Sequence, residues 1–165
     1  MGNPQVTPSK PARKVPSLVA VVDGDFEAML GVRIEALRES LERLGRFDPL
    51  RARERFAAGF APEHMRHIEV AGERVGFVTL RPDDDMPTTR LRLDHLYLRP
   101  DAQGQQLGSR VMEWVKAQAQ QRSVTLSALK QSDANRFYVR HGFVPVGESD
   151  FDIHYRWTPD KEVCA

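Results

Sequence analysis

The sequence has little that would direct it to an oxidising compartment or to a membrane. Its one cysteine in 165 residues, Cys164, precedes the last residue, so it forms no internal disulfide and no cysteine-based metal site. The longest aliphatic run, Leu18 to Val22, is far shorter than the roughly 18 apolar residues of a membrane-spanning helix. The N-terminal segment lacks the apolar centre of a signal peptide. We therefore expect a soluble, cytoplasmic protein with no membrane partner.

An excess of charge of either sign is also absent. Twenty-four Lys and Arg side chains stand against 23 Asp and Glu, a formal net charge of +1, and this balance does not favour a nucleic-acid partner. The distribution is uneven, because residues 1–16 contain three basic side chains, no acid and four prolines. We interpret residues 1–16 as a disordered basic arm, residues 17–160 as one folded domain and residues 161–165 as a tail.

The hydrophobic pattern predicts seven strands and four helices in the order β, α, α, β, β, β, α, β, α, β, β. In the first helix, apolar residues recur at intervals of three or four: Phe26, Leu30, Ile34, Leu37, Leu41 and Leu44. Residues 66–71, 74–81 and 90–99 alternate with a period of two and are joined by turn-forming residues, which predicts an antiparallel meander. His64 and His67 have no third ligand at a matching spacing, so we interpret them as surface or loop histidines.

The loop after the third meander strand is rich in glycine. Gly104 follows the strand, and the next helix is predicted to open at Gln105 or Gln106 with Gly108 in its first turn. A helix N-terminus presents unpaired backbone N–H groups, so it can hold a phosphate without basic side chains, and glycine lets a ligand approach the main chain closely. The spacing is neither a Walker loop nor a dinucleotide fingerprint. A structural capping loop and an anion site are equal alternatives on spacing alone.

A family resemblance is carried by residues 91–115, LRLDHLYLRPDAQGQQLGSRVMEWV, and by residues 126–147, LSALKQSDANRFYVRHGFVPVG. The first segment resembles the acetyl-CoA-binding motif of the GNAT superfamily of N-acetyltransferases, whose core is Arg or Gln, two residues, Gly, one residue, Gly or Ala. Gln106 replaces the first core glycine. The second segment resembles the family's "FYxRxGF" signature and the strand and helix before it, with Gln131 where the family often has Asn. Together with the element order, the resemblance covers about residues 17–158.

The resemblance implies an α/β GNAT fold, with a mixed, mostly antiparallel sheet of six or seven strands, about four flanking helices and a splayed strand pair that holds acetyl-CoA. It implies acetyl-CoA as co-substrate and no metal. The strand main chain would bind the pantetheine arm, and the N–H groups of residues 103–109 would wrap the pyrophosphate. The cofactor-binding residues implied are Leu96, Tyr97, Leu98, Gln103, Gly104, Gln105, Gln106, Leu107, Gly108, Ser109, Gln131 and Tyr138.

The catalytic residues implied by the resemblance are a proton donor and a general base. Tyr138 matches the family's tyrosine, which protonates the leaving thiolate, although an aromatic core residue is the alternative. Asp94 and His95 are the two candidates for the base, and each is equally suited to an ordinary hydrogen bond or ion pair. Strict alternation along the strand places Asp94 and His95 on opposite faces and Leu93 on the face of His95. Only one of the two candidates would then face the substrate.

The acceptor implied is a primary amine of a small molecule, a peptide or a protein. The resemblance implies that the substrate determinants come mainly from the first two helices, their connection and the loop between the last strands, which here means Arg33, Glu35, Arg38, Glu39, Glu42, Arg46, Phe47 and residues 147–152. The carboxylates among them fit an amine substrate.

Two further functions are open at this point. Gln106 and Gln131 also fit a non-catalytic GNAT-fold protein that binds acyl-CoA as a sensor or interaction module. Alternatively, the acceptor is a macromolecule and the basic arm anchors it. The oligomeric state is open as well, with a homodimer as one alternative.

Overall fold

A computed structural model describes residues 14–160. Its helices and strands are β1 Ser17–Ala20, α1 Phe26–Arg43, α2 Pro49–Ala58, β2 Met65–Val70, β3 Glu73–Pro82, β4 Arg90–Leu98, α3 Leu107–Ala119, β5 Ser123–Leu129, α4 Ala134–Arg140, β6 Val144–Glu148 and β7 Asp152–Trp157. The predicted order of elements is confirmed. Most of the predicted arm, residues 1–13, and the predicted tail, residues 161–165 with Cys164, lie outside the described residues. Within residues 14–160, no helix is long and apolar enough to cross a membrane.

The strands form one sheet in the order β1-β2-β3-β4-β5-β7-β6. The predicted meander of β2, β3 and β4 is antiparallel, and β4 and β5 form a parallel pair. That parallel pairing extends only from Arg90 opposite Ser123 to Arg92 opposite Thr125, whereas β4 continues to Leu98 and β5 to Leu129. Beyond Arg92 the two strands therefore diverge, and a cleft opens between them.

Apolar clusters bury both faces of the sheet. On one face, α3 contributes Val111, Met112 and Val115 to a cluster that also contains Leu126 of β5. On the other face, α1 and α2 pack on the meander, in a second cluster of Val21, Met29, Leu30, Phe56, Met65 and Phe77. Each such buried side chain contributes about 1.5–3 kcal/mol to folding. The strands that border the cleft are therefore packed against an apolar cluster on each face of the sheet.

The contact between β3 and β4 requires a glycine at position 76. A Cβ atom on Gly76 would collide with the carbonyl oxygen of Tyr97 and lie 3.0 Å from the Cα atom of Leu98. Only a residue without a side chain allows this approach. Gly76 therefore fixes the outer half of β4, which borders the cleft, against β3.

The interpretation of His67 as a surface or loop histidine is wrong. His67 lies in β2 with 2% of its surface exposed, and its Nε2 is 2.9 Å from Oδ2 of Asp25. That contact, more than any other, holds the pKa of the Asp25 carboxyl below its usual range, and Arg74 acts in the same direction. Alternation in β2 turns His67 inward, so its side chain is part of the protein interior. His64 ends a short turn before β2, and residues 14–160 contain no cluster of potential metal ligands.

Candidate active site

Strand β4 contains a bulge at Asp94. Thr79 pairs with His95 and the next β3 residue, Leu80, pairs with Leu93, so Asp94 has no partner of its own. An extra residue of this kind reverses the alternation of side chains along the strand. The leucines before it, Leu91 and Leu93, and those after it, Leu96 and Leu98, all pack in the cluster under α3. The prediction that Leu93 shares a face with His95 is therefore wrong.

The same bulge brings the two candidate bases to one face. The His95 ring Nδ1 is 2.9 Å from Thr79 Oγ1, and Arg81, two residues after Thr79, projects on that same face. The carboxylate of Asp94 accepts hydrogen bonds from Arg81 and from Arg92, whose Nε is 3.0 Å from Oδ1. Asp94 and His95 consequently both lie on the α1 side of the sheet, which corrects the expectation from strict alternation.

The bulge also determines which backbone groups of β4 face the cleft. The N–H of Arg99 donates to the carbonyl oxygen of Val75 at 2.8 Å. Hydrogen-bonded pairs alternate along an antiparallel ladder, so the main chain of Tyr97, two residues earlier, also bonds to β3. The N–H and C=O groups of Leu96 and Leu98 then point away from β3. They point into the cleft.

The loop after β4 presents a series of unused donors. Within residues 14–160, the backbone N–H groups from Gly104 to Ser109 donate to no acceptor of the protein, and the first bond of α3 joins Arg110 N–H to Gln106 O at 3.2 Å. Two side chains hold the loop: Gln103 Nε2 donates to Leu98 O, and Gln105 Nε2 to Asp101 O, each at 3.0 Å. Leu107 is buried beneath the loop. Six adjacent N–H groups at a helix N-terminus suit a polyanion.

Both departures from the family motifs occupy left-handed backbone. Gln106 has φ 61° and Gln131 has φ 66°, a conformation that glycine adopts freely and asparagine tolerates better than other residues. The Gly and Asn that the family commonly has at these positions match this conformation. Gln106 and Gln131 therefore preserve the loop shape at a conformational cost.

Gly108 and Ser109, at the start of α3, make the contacts between this helix and α4 with the residue that follows it. A Cβ atom on Gly108 would lie 3.2 and 3.3 Å from ring atoms of Phe137, so the glycine lets α4 pack on α3, a role that its sequence context does not reveal. Ser109 Oγ is 3.0 Å from Nε2 of His141, whose carbonyl oxygen accepts from Lys116 Nζ at 2.6 Å. Burial lowers the pKa of His141, and Lys116 lowers it further.

Two tyrosines flank the cleft. Tyr138 of α4 is 9% exposed and packs edge-on against Phe143, with ring centroids 5.8 Å apart. Burial raises the pKa of Tyr138, and the nearby hydroxyl of Tyr97 raises it further. Burial also raises the pKa of Tyr97, while Arg33 opposes that shift. Both phenols are protonated at neutral pH and can donate a hydrogen bond.

The two candidate bases differ in their environment. Burial, followed by the charge of Arg33, lowers the pKa of His95 to about 4, so its imidazole is neutral at pH 7. Both oxygens of Asp94 are engaged by guanidinium groups. His95 can accept a proton, whereas Asp94 mainly fixes its arginine partners.

A chain of polar side chains crosses from β4 to β7 near the point where the strands diverge. Arg92 Nη2 donates to Ser127 Oγ at 3.2 Å, and Ser127 Oγ is 2.7 Å from Nδ1 of His154. These side chains lie opposite the face that Leu126 and Tyr155 bury. Ser127 and His154 carry no signal in the sequence, because they occupy positions like the exposed ones of any alternating strand.

The two segments expected to select the acceptor contact each other. The guanidinium carbon of Arg46, after α1, lies 3.5 Å from the ring centroid of Phe151, before β7. Two of the carboxylates expected to attract the amine lie away from the cleft, on the exposed side of α1, where Glu39 pairs with Arg43 and Glu42 pairs with Arg38. Another of the expected determinants, Arg33 of α1, lies close enough to His95 and Tyr97 for its charge to act on both.

Comparison with known proteins agrees with this geometry. The family model for the acetyltransferase (GNAT) domain matches residues 62–145, just over half of the chain. An aminoalkylphosphonate N-acetyltransferase of Salmonella typhimurium is 30% identical over an alignment of 115 positions that covers 64% of this chain and 70% of that protein.

Solved structures show the same fold. The PaiA N-acetyltransferase of Thermoplasma acidophilum, solved in complex with coenzyme A, superposes with a TM-score of 0.70 at 13% identity, over 87% of this chain and 99% of that one. An acetyltransferase of Thermus thermophilus also gives 0.70, at 17% identity, over 89% and 99%. The chain therefore belongs to the GNAT acetyltransferase family. Its activity is acetyl-CoA-dependent N-acetyl transfer, and the GNAT fold expected from the sequence is confirmed.

Proposed function

We propose that this enzyme acetylates the primary amine of a small molecule, with the donor held in the cleft between β4 and β5. The observation that carries the proposal is the single row of unused main-chain groups in that cleft. Leu96 and the N–H group of Leu98 supply its inner part, and residues 104–109 supply its outer part at the start of α3, while the carbonyl oxygen of Leu98 accepts from Gln103. A row of backbone donors that ends at a helix N-terminus suits an extended ligand with a pyrophosphate at one end.

The residues present fit acetyl-CoA. The amide groups of a pantetheine arm match the main chain of Leu96 and Leu98, while the alternation of hydrogen bonds leaves Tyr97 paired with β3. Gln103, Gln105 and Leu107 shape the loop rather than bind through their side chains, and Gln106 contributes its N–H group. Gln131 begins the turn before α4. Because these contacts use backbone donors, the site needs no formal positive charge.

Bound acetyl-CoA supplies the thioester carbonyl that the amine attacks. Strand N–H groups stabilise the charge that develops on the carbonyl oxygen. As the N–C bond forms and the C–S bond breaks, the phenol of Tyr138 donates its proton toward sulfur. The proton lost by the amine passes to His95 and returns from there, through solvent, to the phenolate. Tyr138 is protonated at neutral pH, so it has a proton to give when the sulfur becomes basic.

Neutral amine is the reactive form of the acceptor, and the α1 side of the cleft favours it. Arg33 and Arg81 disfavour a second cation there, and neutral His95 offers an acceptor for the amine proton. We assign Asp94 to positioning of Arg81 and Arg92. A small acceptor is favoured because the relative at 30% identity is named for aminoalkylphosphonates. Acetyl-CoA is an intracellular metabolite, so a cytoplasmic location is part of the proposal.

Thermal unfolding with saturating acetyl-CoA and then thiol release over a panel of amines test the proposal. We expect stabilisation by acetyl-CoA, followed by turnover on small primary amines. Stabilisation without thiol release from any amine would instead indicate a binding module. Release only with peptide or protein amines would refute the small acceptor. Truncation to residues 17–165 tests the basic arm, since a drop in activity confined to macromolecular acceptors would support the anchor.

A further inference from the structure

Arg33 occupies a position in α1 that normally carries an apolar side chain. It follows Met29 by four residues and Leu30 by three, and these two residues are 2% and 6% exposed. Residues three and four apart share one face of a helix. The side chain of Arg33 is therefore directed toward the sheet, in contrast to the exposed arginines Arg38 and Arg43 of the same helix.

The guanidinium of Arg33 has only neutral partners in the described part of the chain, among them the hydroxyl of Tyr97. Its Nη1 donates to Ala52 O at 3.3 Å, while its Nε is buried and has no hydrogen-bond partner. Among residues 14–160, no carboxylate lies within the 4.0 Å that defines an ion pair with Arg33. Burying a charged donor without a partner costs free energy. An external anion at the guanidinium would supply the counter-charge that the described residues do not provide.

The surroundings of Arg33 place it on the acceptor side of the cleft. Its charge acts on both His95 and Tyr97, which flank the point where β4 separates from β5. The neighbouring cations Arg81 and Arg92 share the carboxylate of Asp94. In the described part of the chain, Arg33 thus differs from both by having no counter-ion.

We propose that Arg33 binds an oxyanion of the acceptor, a phosphonate or a carboxylate, and so selects small amines that carry a negative group. The inference rests on the proposed acetylation of small amines and adds the chemistry of the rest of the acceptor. A guanidinium binds both kinds of oxyanion through paired N–H groups. Held at Arg33, the anion would direct the amine along the face of His95 toward the cleft.

Three acceptors of similar length test the proposal: 2-aminoethylphosphonate, β-alanine and ethanolamine. Thiol release gives kcat/KM for each. We expect the wild-type enzyme to prefer at least one anionic acceptor over ethanolamine by tenfold or more. Arg33→Gln should reduce that ratio to near one, and Arg33→Lys should retain part of it. Arg43→Gln removes an exposed charge from the same helix and should keep the wild-type ratio. The two anionic acceptors distinguish phosphonate from carboxylate.

An unchanged ratio in Arg33→Gln, or a wild-type enzyme without preference for an anion, would overturn the role of Arg33. Should no amine release thiol, the proposed function itself would fail. Calorimetric titration with 2-aminoethylphosphonate and β-alanine would then still test Arg33, because binding of an anionic amine should be at least tenfold weaker in Arg33→Gln. If that variant unfolds, Arg33→Lys and Arg33→Met replace it in both experiments.

Discussion

The carboxylate of Asp94 and the imidazole of His95 lie on the same face of the sheet although the two residues are consecutive in β4. Asp94 is the additional residue of a bulge, and its oxygens bind Arg81 and Arg92. After the bulge, the backbone groups of the even-numbered residues point into the cleft. One irregularity thus places both the polar groups of the proposed acceptor side and the backbone donors of the proposed cofactor side.

Tyr138→Phe should lower kcat by about 100-fold or more, because it removes the proton that the leaving sulfur requires. Binding of acetyl-CoA should change little, since in the proposed site the main chain supplies most of its contacts. The thiol-release rate at saturating substrates and a titration with acetyl-CoA check these two expectations. Tyr155→Phe is the control, because it loses only the 2.8 Å hydrogen bond to Asn135. Wild-type turnover in Tyr138→Phe would remove this residue from the mechanism.

Stability should fall in mildly acidic solution because of His95. Its folded pKa is about 4, lowered first by burial and then by Arg33, whereas the unfolded chain returns to about 6.5. Between these values the unfolded chain binds more protons. The stabilisation from neutral His95 is therefore complete above pH 6.5 and is lost as the pH falls toward 4.

Urea unfolding at pH 7 and pH 5 measures this effect. We expect His95 to account for about 2 kcal/mol of the difference between the two pH values. His95→Phe keeps an aromatic ring among its aromatic neighbours Phe56 and Phe77 and should show a correspondingly smaller difference. An equal pH dependence in the two proteins would contradict the buried, neutral histidine. His95 should also contribute no pH–rate transition between pH 6 and 8.

Gln106→Gly and Gln131→Asn should each stabilise the protein. Both glutamines have positive φ, and the replacements adopt this conformation at lower cost, by about 0.5–1 kcal/mol. Denaturant unfolding checks this change. Gln118→Gly in α3 is the matched control and should destabilise by about 1 kcal/mol. Destabilisation by Gln106→Gly would show that its side chain has a role of its own.

Gly108→Ala should weaken both folding and acetyl-CoA binding. The added methyl group meets the ring of Phe137 at 3.2 Å, so α4 must move away from the loop or the ring must turn. The steric cost of about 1–3 kcal/mol is offset in part by the higher helix propensity of alanine, about 1 kcal/mol, so we expect a small net loss of stability and weaker binding by titration. Phe137→Leu in the same chain should restore part of both. Failure of the second substitution to restore either property would refute the packing role.

The order of elements and the position of the cleft follow from local sequence, since periodicity and the two motifs mark where each element begins. The bulge at Asp94 does not follow from local sequence, because the pattern of residues 90–99 is equally compatible with a regular strand and with a bulged one. Only the pairing of β4 with β3 shows that the bulge is present. The same holds for Arg33. It resembles Arg38 in sequence context, and only the packing of α1 shows that one is directed inward and the other outward.

Residue-resolved amide hydrogen exchange with and without acetyl-CoA tests the central claim most directly. In the free protein, the Tyr97 amide should already be protected by β3, while Leu96 and Leu98 exchange rapidly. Saturating acetyl-CoA should slow exchange at Leu96, Leu98 and residues 104–109 by at least tenfold and leave Tyr97 nearly unchanged. Unchanged exchange at Leu96 and Leu98, in a protein that acetyl-CoA stabilises, would contradict the backbone site.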